Sequence, residues 1–232
     1  EKGLVESREQ ARALIMAGDV LIRDRPITKA GASVDIRDEI RLRKPPHPYV
    51  GRGGIKLRGA MDELEIDVSG LVCADIGSST GGFTHCLLLA GARRVYAIDV
   101  DTTQLDWKLQ KDKRVIAIKG NARYLLPSCV PECIDFVTVD VSFISVTKIL
   151  EPLTGLLKDG GRCLALIKPQ FELGKGKVGK GGIVKDPKLH SEAVQKVIDC
   201  MGSIGFVSRR VSPSVIKGKE GNQEFFLFLN KQ

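Results

Sequence analysis

The chain has 232 residues, of which 43% are hydrophobic and 28% charged, with a formal net charge of +8. That balance belongs to a globular protein with room for one large domain and one small one, and apolar runs such as residues 86–90 are far too short to span a bilayer. Residues 1–60 carry 13 Lys+Arg against 8 Asp+Glu and residues 61–232 carry 23 against 20, so the front end is the basic part.

A small basic front end suits contact with a polyanion, and equally a plain solvated surface. No signal-peptide pattern opens the chain, which begins at Glu1 rather than Met, so a further N-terminal segment is expected ahead of it. Six cysteines are present with three histidines, but the tightest cysteine spacing is Cys129-x-x-x-Cys133. Reduced cytosolic thiols are expected rather than disulfides, with no metal site and a cytoplasmic location.

In chain order, Ser7 followed by Gln10 forms a capping-box pattern, and Ala11, Leu14 and Ile15 then make one apolar helical face that Gly18 ends. Arg8 and Arg12 lie one turn apart on that helix and share a face. Residues 20–22 read as a strand, 23–26 as a turn, and a second short strand ends near Leu42. Ser7-Arg8, Ala11, Leu14, Gly18-Asp19-Val20, Lys29 and Val34 together resemble the small RNA-binding domain named after ribosomal small-subunit protein four. That resemblance implies an RNA-binding role for residues 1–44 through Arg8, Arg12 and Lys29, although the earlier basic helix usual in such domains is largely absent.

The stretch "RKPPHPYVGRGG", residues 43–54, is rich in proline and then glycine, and a linker is placed over 45–54. Beyond it, residues 55–232 form the second expected domain. Strands are expected at 72–76, 95–99, 115–119, 136–141, 163–167, 206–211 and 225–229, with helices between most of them and Gly91, Gly160 and Gly205 marking helix ends. This alternation predicts an α/β fold whose seven-stranded, mostly parallel sheet is covered on both faces.

"CADIGSSTGGFTHCLLLAGARRVYAIDVD" is the most informative stretch. A strand ends at Asp75-Ile-Gly77, a glycine-rich turn follows through Ser79, Thr80, Gly81, Gly82 and Phe83, and a second strand ends at Asp99. An acid there can bind ribose hydroxyls. A dinucleotide loop needs G-x-G-x-x-G, whereas the spacing here is D-x-G-x-x-x-G-G, and Asp75 would oppose a phosphate. The pattern looks like the S-adenosylmethionine loop of Rossmann-like methyltransferases; a dinucleotide site and a tight turn without ligand are the alternatives. Asn121, after the third strand of the sheet, is a candidate adenine-side contact, and Phe83 and Phe143 are expected in the core rather than as stacking platforms.

After the fifth strand, "LALIKPQFELGKGKVGKGGIV" offers Gly174-x-x-x-x-Gly179-Lys180, most of a phosphate-loop signature, but Gly181 stands where a Ser or Thr should hold magnesium. The segment is read instead as a mobile basic flap with Lys175, Lys177 and Lys180 meeting RNA phosphates, or as an ordinary flexible loop.

The segments "PYVGRGGIKL", "DIGSSTGGFT", "VDVSFIS", "IKPQFE", "GGIVKD" and "NQEFF" occur in an order that resembles the TlyA family. Its members join such an RNA-binding domain to an FtsJ-like methyltransferase domain and carry an older hemolysin label. The resemblance implies transfer of a methyl group from S-adenosylmethionine to a ribose 2′-hydroxyl of rRNA cytidine, with rRNA or ribosomal subunits as partners. It also implies a Lys-Asp-Lys-Glu tetrad at Lys56, Asp140, Lys168 and Glu224, with Asp140 at the cofactor as well and Arg52 on the RNA side.

Such chemistry needs these residue types. A 2′-hydroxyl is a poor nucleophile until its proton leaves, and Lys168 is assigned as general base or hydroxyl-orienting group. An ordinary lysine of pKa ~10.4 is only about 0.04% neutral at pH 7. A second cation would raise that fraction and nearby carboxylates would lower it. A protonated lysine still orients the hydroxyl and stabilises developing alkoxide charge. Two other classes stay open at this point: a non-catalytic ribosome-assembly factor and a membrane-active hemolysin, the latter disfavoured by the lack of a strongly amphipathic basic helix with large aromatics.

Overall fold

A computed structural model of the chain describes residues 4–5, 7–16, 18–43, 47–125, 127–218 and 220–232. The chain divides into two compact units, Glu1–Pro48 and Tyr49–Gln232.

The first unit holds α1 (Arg8–Met16) and an antiparallel sheet of β1 (Val20–Ile22), β2 (Arg25–Ile27) and β3 (Ile40–Leu42) in the order β2-β1-β3. The turn expected over 23–26 is shorter than predicted. Arg23 and Asp24 alone take positive φ, 48° and 64°, and the chain is back in a strand by Arg25. Two residues of that hand match the twist of a tight hairpin. Pro26 is tolerated in β2 because that strand lies at the sheet edge. Arg23 pairs with Asp38 at 2.6 Å and Arg41 with Asp24. Arg8, Arg12 and Lys29 are exposed. Lys44, which closes the predicted first domain, and linker residues 45–46 lie outside the described residues.

The second unit opens with α2 (Gly53–Glu63) and builds one seven-stranded sheet. In chain order follow β4 (Val72–Ile76), α3 (Gly82–Leu89), β5 (Arg94–Asp99), α4 (Trp107–Gln110), β6 (Val115–Lys119), β7 (Ile134–Val139) and α5 (Thr147–Leu153). Then come β8 (Leu157–Ile167), α6 (Pro169–Glu172), α7 (Pro187–Gly202), β9 (Phe206–Pro213) and β10 (Phe225–Lys231). The strand order is β6-β5-β4-β7-β8-β10-β9, with β10 antiparallel to both neighbours and the first five strands parallel.

Because side chains alternate across a strand, the sheet feeds two cores. Val72, Ala74 and Ile76 of β4 pack with Ile149 and Leu150 of α5 and Val197 and Met201 of α7. Cys73, Phe136, Leu164, Leu166 and Phe226 pack on the opposite face with Leu57 of α2 and Leu87 of α3.

Three expectations need correction. Gly160 does not end a helix: it lies inside β8 at φ 71°, where residues 158–161 bulge and shift the β7–β8 register between Ile134↔Leu157 and Phe136↔Arg162. The strand expected at 136–141 ends at Val139, not Val141, which leaves Asp140 in the following loop. The second half of the predicted linker is structured. Val50 N–H donates to His85 Nδ1 at 3.2 Å, the Tyr49 ring meets the His85 ring edge-on, and α2 begins at Gly53.

Candidate active site

The strand order turns around β4: the chain runs outward through β5 and β6, then returns to start β7 on the other side of β4. In open α/β sheets such a switch point, at the carboxyl ends of the strands, leaves a crevice for ligands. Here Gly77 follows β4, and Asp99 and Asp140 stand at the ends of the two neighbouring strands.

The glycine loop is shaped by close packing. At Gly77, φ is 83° and a Cβ would lie 2.3 Å from the Asp140 carbonyl oxygen. At Gly81, φ is 93° and a Cβ would fall 2.2 Å from Leu109 of α4. Any larger residue would push the loop off its neighbours or out of the left-handed region. Ser79 and Thr80 are exposed at the loop tip. Asp99 holds the tip, accepting the Ser79 N–H at 2.9 Å and the Asp101 N–H at 3.0 Å.

Asp75 is fully buried beneath this loop. It accepts from Thr84 N–H at 2.8 Å, Thr84 Oγ1 at 2.7 Å and Thr138 Oγ1 at 3.2 Å. Burial pushes its carboxyl up to about 7; the threonine bonds oppose that shift and the charge of Asp140 adds to it. The geometry makes Asp75 a brace between β4, β7 and the first turn of α3. Phe83, expected along the loop, turns its side chain into the core against Phe226, with ring centroids 6.1 Å apart.

Four residues far apart in sequence form two ion pairs. Lys56 of α2 donates to Glu224 Oε2 at 2.5 Å. The Lys168 ammonium lies 2.6 Å from Asp140 Oδ1 and donates to Ser142 Oγ at 2.9 Å. Both lysines are buried, at 9% and 8% exposure. A buried cation is retained only with a partner, because desolvation alone costs several kcal/mol. Register explains the gathering: Phe225 of β10 faces Ile167 of β8, so Glu224 and Lys168 sit at adjacent strand ends.

Asp140 Oδ1 is buried against the Lys168 ammonium, while the carboxylate as a whole stays partly exposed. Partly exposed carboxylates at Asp99 and Asp140, on either side of the Gly77 loop, fit a ligand that carries a ribose diol and a cationic centre. The residues present therefore suit S-adenosylmethionine.

Other expected residues are more scattered. Asn121 is exposed after β6, and its side chain accepts from Arg123 N–H at 3.1 Å. Arg52 is exposed and donates to the Lys217 carbonyl at 3.0 Å. Residues 174–182 form two single-turn helices, Lys175–Lys177 and Lys180–Gly182. Lys177 is ion-paired to Glu192, and Lys180 is exposed. The end of this segment is tied down: Asn222, 1% exposed, donates to the Gly182 carbonyl at 2.9 Å and accepts from Val184 N–H at 2.9 Å.

Phe143 corrects the core expectation outright. It is 90% exposed at φ 66°, with its ring 5.3 Å from that of Phe171. Its loop is held at both ends by polar bonds, which forces the apex outward. Sequence reading also passed over Ser142, Thr84, Thr138, Glu172 and Asn222. Ser142, Glu172 and Asn222 lie inside "VDVSFIS", "IKPQFE" and "NQEFF", and Thr84 closes "DIGSSTGGFT", so the signal was their company rather than their type.

Comparison with known proteins agrees with this geometry. Residues 49–231 match the FtsJ-like methyltransferase family. The chain is 41% identical to the 16S/23S rRNA (cytidine-2′-O)-methyltransferase TlyA of Mycobacterium tuberculosis, over 100% of this chain and 87% of that protein. It is 42% identical to hemolysin A of Brachyspira hyodysenteriae, over 97% of this chain and 94% of that protein. A hemolysin-named structure from Streptococcus thermophilus superposes with a TM-score of 0.83 at 40% identity, covering 100% of this chain and 85% of that one. A glycine loop at the switch point, a lysine-carboxylate tetrad and full-length similarity meet in one conclusion: the chain belongs to the TlyA family of FtsJ-like methyltransferases.

Proposed function

We propose that this protein transfers a methyl group from S-adenosylmethionine to a ribose 2′-hydroxyl of ribosomal RNA, with cytidine as the target nucleoside. The observation that carries the reading is the convergence of Lys56, Asp140, Lys168 and Glu224 as two ion pairs at the sheet's ligand edge. When bound, the cofactor supplies an electrophilic methyl group on a sulfonium.

The chain's own residues do the rest. Asp99, Asp140 and the 77–82 loop hold the cofactor, with Asn121 on its adenine side. The Lys168 ammonium, fixed by Asp140 and Ser142, donates to the ribose oxygen and stabilises the negative charge that develops there as the hydroxyl proton passes to solvent water. Lys56 and Glu224 brace that position, so that most of the rate comes from alignment of hydroxyl, methyl and sulfur. Exposed Phe143, with half-buried Phe171 beside it on the Lys168 segment, suits an unstacked single-stranded nucleotide.

Residues 1–44, within the compact unit Glu1–Pro48 and with Arg8, Arg12 and Lys29 exposed, are assigned as the RNA-binding unit of the ribosomal small-subunit protein four type. Arg52, Lys175, Lys177 and Lys180 add contacts to RNA phosphate, and rRNA or a ribosomal subunit is the partner, met in the cytoplasm. Transfer of labelled methyl from S-adenosylmethionine to ribosomal subunits tests the reading. Wild type should label rRNA, and a 2′-deoxy nucleotide at the mapped position should abolish the product. A tetrad variant that restores ribosome assembly as well as wild type does would favour an assembly factor instead.

The hemolysin names among the relatives raise a second reading. Among the described residues no helix is long and apolar enough to cross a membrane. Dye release from vesicles by the purified protein would support that reading.

A further inference from the structure

The loop from Asp140 to Val146 carries one member of the tetrad. Asp140 N–H donates to the Ile76 carbonyl of β4 at 2.9 Å, and the side chains that hold the loop come from the segment after β8. At its start, Lys168 meets Asp140 and Ser142. At its end, Glu172 accepts the Val146 N–H at 2.8 Å through Oε1 and the Ser145 hydroxyl at 2.5 Å through Oε2. Lys168 and Glu172 bracket the single turn of α6, which is closed by Phe171 N–H to the Lys168 carbonyl at 2.8 Å. One five-residue segment therefore fastens both ends of the loop that bears Asp140.

Between the two fastenings stands Phe143 at φ 66°. A bulky residue takes that conformation only where its surroundings over-determine it. Glu172 is 3% exposed, and burial raises its carboxyl while the Ser145 and Val146 bonds oppose the shift. A buried carboxylate is an expensive way to fill space, and both of its hydrogen-bond donors come from this loop. Lys196 of α7 in turn anchors the Glu172 carbonyl at 2.5 Å, so the clamp is fixed to the body of the domain.

We propose that Glu172 is a positioning residue for methyl transfer, clamping the end of the 140–146 loop so that Asp140 and Lys168 keep one geometry. Its kinetic arm rests on the methyltransferase reading. The carboxylate length matters more than its charge in this account. A glutamine accepts the Val146 N–H through its carbonyl and donates to Ser145 Oγ through its amide. An aspartate is one methylene short and leaves both loop groups unpaired.

The test is a series of Glu172→Gln, Glu172→Asp, Glu172→Ala and Ser145→Ala, with kcat, the KM for cofactor and ribosomal subunits, and hydrogen exchange at the Val146 amide. Misplacing a reacting group by about 1 Å can cost ~100-fold, so Asp and Ala should lower kcat by roughly 10- to 100-fold, with a smaller rise in KM for the cofactor that Asp140 also holds. Gln should stay close to wild type, Ser145→Ala should fall between, and Val146 exchange should be slow in wild type and Gln but fast in Asp. If Glu172→Ala does not fold, the other three variants carry the test. An active Asp beside an inactive Gln would overturn the clamp, as would losses confined to cofactor KM. Equal Val146 exchange across the series would overturn it whether or not transfer is detected. Absence of transfer in wild type, with the exchange pattern intact, would count against the methyltransferase reading alone.

Discussion

Two groups of lysines follow or face the same strand end, and they differ in nearly every physical respect. Lys56 and Lys168 are buried, paired to Glu224 and Asp140, and held on a helix and at a strand terminus. Lys177 and Lys180 are exposed on single-turn helices, and Lys177 pairs with an exposed glutamate. Removing a cation from water without a partner is prohibitive, so the first pair persists only because the fold builds its counterions in place. The second group costs little to keep and acts through long-range, salt-screened attraction.

The same contrast disposes of the phosphate-loop resemblance. In a phosphate loop the lysine leads directly into a helix N-terminus. Here Gly181 turns at φ 75°, α7 begins only at Pro187, and its first turn is already capped by Asp186 accepting Lys188 N–H at 2.9 Å. The anion-attracting end is taken by an acid.

Substitutions that break this contrast should show graded effects. Lys168→Ala removes the group at the ribose oxygen and should lower kcat by ~10²–10⁴-fold with little change in cofactor binding; single-turnover transfer measures it. Lys56→Ala or Glu224→Ala strands a buried charge and should cost about 3–5 kcal/mol of stability in denaturant unfolding. The double change Lys56→Met with Glu224→Leu should recover much of that stability without recovering activity.

Asp75 gives a pH-dependent effect. Its folded value near 7 stands above the ordinary 3.8, so the native state holds a proton that the unfolded chain has released. That contribution is fully present below the unfolded value and is lost as pH rises through about 7, at up to ~1.4 kcal/mol per unit. Asp75→Asn keeps the threonine bonds and does not titrate, so wild type should lose stability relative to it between roughly pH 4 and 7 and run parallel to it above. A difference that is flat with pH would contradict the assignment. The smallest effect belongs to Lys177→Ala with Lys180→Ala. It should reduce the salt slope of RNA binding by about one per lysine and barely shift Tm.

Much of this was readable from the chain because local and global signals agree in the sheet. Runs such as residues 72–76 and 115–119 coincide with β4 and β6, since continuous apolar stretches bounded by turn residues have few other uses in an α/β domain. The tetrad came from family resemblance at four separate motifs; only the β8–β10 register and the packing of α2 show why they meet. What was missed depends on tertiary context. Gly160 reads as a helix stop until the β7–β8 register requires a bulge. Phe143 reads as core until the Lys168 and Glu172 bonds turn its loop outward. Asp75 reads as a ligand contact until Thr84 and Thr138 consume its acceptors beneath the loop.

The central claim is that buried Lys168, paired with partly exposed Asp140, carries methyl transfer to a ribose hydroxyl. The most direct measurement is single-turnover transfer of labelled methyl to a ribosomal substrate, comparing wild type, Lys168→Ala and wild type on RNA with a 2′-deoxy target. The account predicts labelled cytidine in rRNA with wild type, a loss of ~10²-fold or more with the variant, and none on the deoxy substrate. Equal transfer by Lys168→Ala, or transfer to the deoxy target, would contradict it.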